Sequence, residues 1–225
     1  MAGEVASSRP TAHAILFVDV DGTLIPETSS GEFLAAKLGH LAEMVEAEAA
    51  YNAGRIGNRE VCAIDAAGWA GWRQAAVMAW LDDLPLVDGI GETVEWCRSR
   101  AVVPILTTLA WQPVGAYLSR RFGFSGYSGP ELEVACGRYT GRVAVDFDEF
   151  DKRDFAVAQA GRVGLTMRDC AAVGDSRSDL PLFERVGVRI AFNGSPIVKE
   201  AADYAIEGND LRSMISILEH WLMDR

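Results

Sequence analysis

Short apolar runs ending in an acid or a hydroxyl alternate along this chain with stretches whose apolar residues recur every three or four positions. The first run, Ile15-Leu16-Phe17-Val18-Asp19-Val20-Asp21-Gly22-Thr23, is continuous rather than alternating, which predicts a buried strand of a parallel sheet. Leu24 to Glu27 then leave the sheet as a loop. Over residues 32–50, Leu34, Leu38, Leu41, Met44 and Val45 fall at helical spacing with Glu43, Glu46 and Glu48 between them, predicting one amphipathic helix that Gly54 and Gly57 end. Helices follow over 59–67 and 74–81, and no strand pattern interrupts residues 27–84. The simplest reading is a helical insert directly after the first strand.

Beyond a turn-rich return at 85–91, the pattern predicts a helix over 92–100 and a second buried strand, Val102-Val103-Pro104-Ile105-Leu106-Thr107-Thr108. Pro104 cannot donate to a sheet ladder, so it is expected at the strand's start or at a bulge. A helix over 113–122 carries Pro113 in its first turn, and the Gly-containing, alternating stretch 131–143 predicts a hairpin. Helices at 154–163, 179–186 and 197–202 are interleaved with strands at 171–175, 188–192 and 204–206. An amphipathic segment over 211–223, capped by Asn209 or Asp210, closes the chain. Strands alternating with helices imply an α/β fold with a parallel sheet wound on both faces.

Composition narrows the class. The chain has 225 residues, 49% hydrophobic and 24% charged, enough for a core domain plus a small insert. A net charge of −11 excludes the basic footprint of a nucleic-acid binder and offers no polybasic membrane patch. Cys62, Cys97, Cys136 and Cys170 form neither a C-x-x-C pair nor a zinc framework, so reduced thiols in a cytoplasmic protein are expected. Residues 1–13 are small and polar, lack the apolar core of a secretory signal, and read as a flexible tail. The domains expected are therefore a core from 14–27 and 85–225 and a cap from 28–84.

Ligands of open α/β sheets bind outside the carboxyl ends of the strands. Asp19 and Asp21, Thr107, Lys152, and Asp175 with Asp179 can all converge there. Taken singly, Thr107 is an ordinary β-former, Lys152 in Asp-Lys-Arg-Asp a solvated charge, and Gly174-Asp175-Ser176 a turn; their order and strand-end placement carry the functional reading. The set resembles the four motifs of the haloacid dehalogenase superfamily: DxDGT at 19–23, an apolar strand ending in Thr107, Lys152 ahead of a helix, and GDxxxD at 174–179. A helical insert between the first two motifs is similar to the small cap of the phosphoserine phosphatase branch.

This resemblance implies a Rossmann-like core, an all-helical cap inserted after strand 1, and a Mg²⁺-dependent phosphatase acting on a small phosphorylated metabolite. It casts Asp19 as nucleophile forming an aspartyl-phosphate, Asp21 as acid and base, and Thr107 and Lys152 as partners of the phosphoryl oxygens. Mg²⁺ falls to Asp19, Asp175 and the carbonyl of Asp21, with Asp179 in support. Gly22, Thr108, Ser176, Asn193, Glu27 and Asp65 are the expected phosphate or substrate contacts. Asp21 argues against dehalogenation, whose enzymes lack that second acid. The branch clamps its substrate's carboxylate with a cap Arg, and that position falls on or near Asp65 here. An Asp would repel a carboxylate. The expected substrate is thus an amino- or hydroxyl-rich ester rather than phosphoserine, with a phosphoserine phosphatase proper, a phosphotransferase or phosphomutase, and a non-catalytic binding protein as the alternatives.

Overall fold

A computed structural model describes residues 12–224, so the expected tail lies outside the described residues apart from Ala12 and His13. In chain order, strand β1 (Ala14–Val18) is followed by helices α1 (Ser30–Leu38), α2 (Leu41–Asn52), α3 (Asn58–Gly68) and α4 (Gln74–Trp80). Helix α5 (Ile90–Ser99), β2 (Val102–Leu106) and α6 (Gln112–Phe122) lead to a hairpin of β3 (Glu131–Ala135) and β4 (Arg138–Val145). Then come α7 (Glu149–Arg162), β5 (Cys170–Gly174), α8 (Leu180–Phe183), β6 (Val188–Phe192), α9 (Pro196–Ala201), β7 (Tyr204–Ile206) and α10 (Ile215–Met223).

Five strands form one parallel sheet in the order β2-β1-β5-β6-β7. Side chains alternate across it, as strand geometry requires. Ile15 and Phe17 pack with Ala156 and Ala160 of α7, Phe183 of α8 and Val198 of α9. Ala14, Leu16 and Val18 pack with Val94 and Cys97 of α5, Leu118 of α6 and Leu218 of α10. Both faces of β1 are therefore covered, which is why its sequence is continuously apolar. Register sets Val18 beside Leu106 on one side and Val173 on the other. The segments leaving β1, β2 and β5 emerge side by side at one edge.

Three local expectations are corrected. The helix expected over 32–50 is two, because Gly39 takes φ 95°, a left-handed conformation open to glycine, and ends α1. The helix expected from 154 begins at Glu149, where Asp148 accepts from the backbone of Phe150 and Asp151; Lys152 is thus inside its first turn, not ahead of it. Pro104 sits mid-strand, opposite Leu16, and is tolerated because β2 is an edge strand.

Residues 30–83 contain helices only, yet the cap is not closed by helices alone. The β3–β4 hairpin docks on it through Gly71 N to Tyr139 O (2.9 Å), Tyr139 N to Trp72 O (3.0 Å) and Gln74 N to Gly137 O (3.1 Å). Trp69 of the cap, fully buried, meets Tyr139 of the hairpin and Trp111 of the core edge-on, with ring centroids 4.9 and 6.2 Å apart. Among the described residues no helix is long and apolar enough to cross a membrane.

Candidate active site

Asp19 follows β1 directly, its backbone N–H tied to Val173 O at 3.0 Å. Gly22 turns the chain with φ 78°, and a Cβ there would lie 2.1 Å from Asp175 Oδ2. Only glycine lets the acid at the end of β5 approach the loop leaving β1. Because β1 and β5 are neighbours, ligand oxygens of Asp19, Asp175 and Asp179 all fall within 4.8 Å of one another.

Lys152 reaches into this cluster from the first turn of α7. Its side chain is 0% exposed, with Nζ 2.8 Å from Asp19 Oδ1 and 2.6 Å from Asp179 Oδ1. The other oxygen of Asp179 accepts from the backbone of Asp175 (3.1 Å) and Ser176 (3.2 Å). With both oxygens engaged, Asp179 acts as a brace for Lys152 and the 174–179 loop. A Cβ on Gly174 would lie 2.1 Å from the Asp179 carboxyl carbon, so this brace too depends on a glycine. Asp21 is held by the start of α1: its Oδ1 accepts from Ser30 N at 2.6 Å and its Oδ2 from Ser30 Oγ at 3.1 Å.

Crowding of these acids shifts their titration. Burial pushes Asp19 up to about 7 against the pull of Lys152, with Asp179 and Asp21 adding to the rise. Burial and then the charges of Asp19 and Asp179 push Asp175 to about 9. Burial also raises Asp21, opposed by its bonds to Ser30. Lys152 is penalised by burial, yet Asp179 and Asp19 outweigh that and keep it protonated. The cluster is short of positive charge. Asp175 Oδ1 is buried without a partner among the described residues, as is the hydroxyl of Thr107. An oxygen-only, anionic set with an unsatisfied carboxylate oxygen fits Mg²⁺, which prefers one or two carboxylates completed by water and phosphate.

Beside the cluster lies a cavity of ≈ 340 Å³, room for a small ester. Asp19, Asp21, Gly22, Glu27, Asp65, Thr108, Asp175 and Ser176 line it. Thr108 has its hydroxyl accepting from Ala110 N and its own N–H on Ser128 Oγ. Glu27 is exposed and has φ 65°. Asp65, 2% exposed, has both oxygens occupied: Oδ1 by His40 Nε2 and Trp69 Nε1, Oδ2 by Trp111 Nε1 at 2.6 Å. Its carboxylate ties cap to core.

Asn193 is engaged elsewhere in this structure. Its side chain bridges to Gly208 through two hydrogen bonds of 2.8 and 2.9 Å, it holds φ 52°, and it does not line the cavity. It follows β6, the strand next to β5, and Ser195 N two residues on donates to Asp175 O at 2.8 Å.

Sequence reasoning missed Ser29, Ser30, Glu48 and Trp111, all of which line the cavity. The pattern Ser29-x-x-Glu32 announces a helix start, and Ser29 Oγ does accept from Glu32 N at 2.9 Å. Nothing local marks Glu48, which looks like one more acid on a polar helix face.

Glu48 supplies a test. Burial pushes its carboxyl up to about 8, against the hydrogen bond from Ser29. The folded state therefore holds a proton that the unfolded chain releases near pH 4.5. Stability is fully present below that value and falls as pH rises toward 8, by at most about 1.4 kcal/mol per pH unit for one group. Asp175 acts in the same direction. The melting temperature of the metal-free protein should drop between pH 5 and pH 8.5, less steeply with Mg²⁺ present. A melting temperature that climbs over this range would contradict the burial of these acids.

Comparison with known proteins agrees with the fold. A model of the haloacid dehalogenase-like hydrolase family matches residues 16–184. A phosphoserine phosphatase of Streptococcus thermophilus is 28% identical over 209 residues, spanning 91% of this chain and 95% of that protein. One of Methanocaldococcus jannaschii is 26% identical over 133 residues, 59% of this chain and 63% of the relative's length. Among solved structures, a phospho-aspartyl intermediate analogue of phosphoserine phosphatase superposes with a TM-score of 0.82 over 92% of this chain and 99% of its own, at 23% identity.

Proposed function

The chain belongs to the haloacid dehalogenase-like hydrolase family, and from that premise we propose that it is a Mg²⁺-dependent phosphomonoesterase acting on a small phosphorylated metabolite through an aspartyl-phosphate. The observation that carries the reading is Asp19 held at 2.8 Å by a fully buried Lys152 beside an acid, Asp21, whose own proton affinity is raised.

Phosphate monoesters resist hydrolysis so strongly that splitting the reaction in two is the economical route. The carboxylate of Asp19 attacks phosphorus as the ester P–O bond breaks, and Asp21 gives its proton to the departing alkoxide. Water then attacks the same phosphorus, Asp21 takes a proton from it, and the bond to Asp19 breaks to release phosphate. Thr107 and Lys152 face charge growing on the phosphoryl oxygens. Mg²⁺, held by Asp19, Asp175 and the Asp21 carbonyl, would add Lewis-acid polarisation of the phosphoryl group. Ser30, at the start of α1, keeps Asp21 aimed.

The names of the relatives favour phosphoserine as substrate. The cavity weighs against it, because no Lys or Arg is among the described residues that line it. Arg59, one candidate for a carboxylate clamp, is spent on Asp148 at 3.2 Å and Asp151 at 3.4 Å across the cap–core seam. A substrate whose alcohol half carries an amine or hydroxyls, and no carboxylate, fits better.

Phosphate release should be measured across phosphorylated amino acids, sugars, amino sugars and amino alcohols, with Mg²⁺ and with EDTA. Turnover lost in EDTA and restored by Mg²⁺, with amino or hydroxyl-rich esters ahead of phosphoserine, is the expected outcome. Preference for phosphoserine would refute the substrate reading, and metal-independent turnover the mechanism.

A further inference from the structure

Two consecutive serines at the start of α1 carry two different acids. Ser30 holds Asp21, the proton donor to the leaving group, and Ser29 Oγ donates to Glu48 Oε1 on α2. Gly31 permits this approach: a Cβ there would lie 2.5 Å from Met44 Cε and 3.2 Å from Glu48 Oε1. Glu48 is thereby tethered one residue from the anchor of the general acid, in the same cavity. The leaving oxygen must sit beside Asp21, so what meets Glu48 is the part of the alcohol nearest that oxygen.

The surroundings define what that part is. Met44, Val61, Leu109 and Trp111 supply an apolar wall, and Tyr51, 8% exposed, has a hydroxyl without a partner among the described residues. Of the other acids near it, Glu32 accepts from Thr28 Oγ1 at 3.0 Å, Asp21 from Ser30, and Asp65 from His40, Trp69 and Trp111. Among the described residues no cation is paired with Glu48. Glu48 has one oxygen tethered, apolar neighbours and no protein cation, and it holds a proton when the cavity is empty; an ammonium on a short alkyl chain matches it, because a cation beside the carboxyl favours its ionised form.

Resting on the phosphatase reading above, we propose that Glu48 is the specificity-determining residue of this cavity, receiving the ammonium of an amino-alcohol phosphate that lacks a carboxylate. It differs from Glu27 in position and in burial: Glu27 is exposed on the loop after β1, whereas Glu48 is half-buried on α2.

The test compares wild type, Glu48→Gln and Glu48→Lys on three esters with Mg²⁺: O-phosphoethanolamine, 3-phosphoglycerate and p-nitrophenyl phosphate. Glutamine retains an acceptor for Ser29, and thermal melts verify that each variant is folded. In Glu48→Gln, kcat/KM for O-phosphoethanolamine relative to p-nitrophenyl phosphate should fall about tenfold to a hundredfold, chiefly through KM, as for loss of a hydrogen bond to a charged group. Glu48→Lys should move the preference to 3-phosphoglycerate. A wild type that favours O-phosphoethanolamine and keeps that ratio in folded Glu48→Gln overturns the role of Glu48 and leaves the phosphatase reading intact. A wild type that prefers 3-phosphoglycerate overturns the substrate class, and one that releases phosphate from none of the three overturns the phosphatase reading and this proposal with it.

Discussion

Replacing Asp19 with Asn is expected to lower phosphate release by roughly 10⁴-fold or more, the scale seen when a nucleophile is removed, while the protein stays folded. An amide is nearly the shape of the carboxylate, but it neither attacks phosphorus nor supplies an anionic ligand to Mg²⁺. The fold should tolerate it for a reason visible in the site. Burial already pushes the Asp19 carboxyl up to about 7, so the folded protein bears much of the cost of that charge. Lys152 keeps Asp179 at 2.6 Å in the variant, and Asp175 loses a neighbouring charge that raises its proton affinity. Asp19→Asn should therefore melt within a few degrees of wild type when metal-free. Phosphoryl label should remain on acid-quenched wild type after brief exposure to substrate and be absent from the variant. Label on Asp19→Asn, or more than a small percentage of wild-type turnover, would place the nucleophile elsewhere.

Replacing Lys152 with Met is expected to damage stability and activity together. Lys152 is 0% exposed and is the ammonium between the carboxylates of Asp19 and Asp179. Methionine fills similar volume, so the loss isolates the charge. Removing one member of a buried ion pair costs about 3–5 kcal/mol, which for a chain of this size corresponds to a melting temperature lower by roughly 10 °C. The protein lessens that cost by protonating Asp19, whose proton affinity Lys152 holds down. The nucleophile is then neutral at pH 7, and kcat should fall by roughly 10²–10³-fold with the phosphoryl charge no longer met. The remaining activity should rise with pH as Asp19 ionises. High Mg²⁺ should recover part of the stability, since a second cation replaces some of the missing charge. A Lys152→Met protein that melts like wild type would show that the ion pairs do not hold the site together.

Contrast between these two residues shows how far local pattern carries. Asp19 is legible because a carboxylate at the end of a fully apolar strand has no solvated alternative. Lys152 is not legible in the same way: Asp151-Lys152-Arg153-Asp154 looks like a solvated charge run, and Arg153 does pair with Asp154 at the surface. The phase of α7, set by the Asp148 cap, decides that Lys152 points inward. The resemblance to known motifs picked it out, and the fold shows why it belongs there.

Asp65 and Glu48 make the same point about the cap. In the sequence Asp65 stands where a carboxylate-binding residue is expected. The structure surrounds it with His40, Trp69 and Trp111, which lie 25, 4 and 46 positions away, so its role depends on three segments meeting. Glu48 shares its helix with Glu43 and Glu46, both exposed, and only the docking of α1 against α2 turns it toward the cavity. Asn193 ends a strand as Asp19 and Asp175 do, but its side chain is turned to Gly208, a contact 15 residues away that the sequence does not announce.

The strands, the helical insert after the first of them, and the acids at strand ends are all legible in the amino-acid order. These follow from burial and from backbone hydrogen bonding, which act over a few residues and leave a periodic trace. Which charges are paired, which acids are saturated and which line the cavity emerges when the chain is folded. Those outcomes depend on distances between residues remote in the chain, and a carboxylate's proton affinity, partner and chemistry are set by what surrounds it in space.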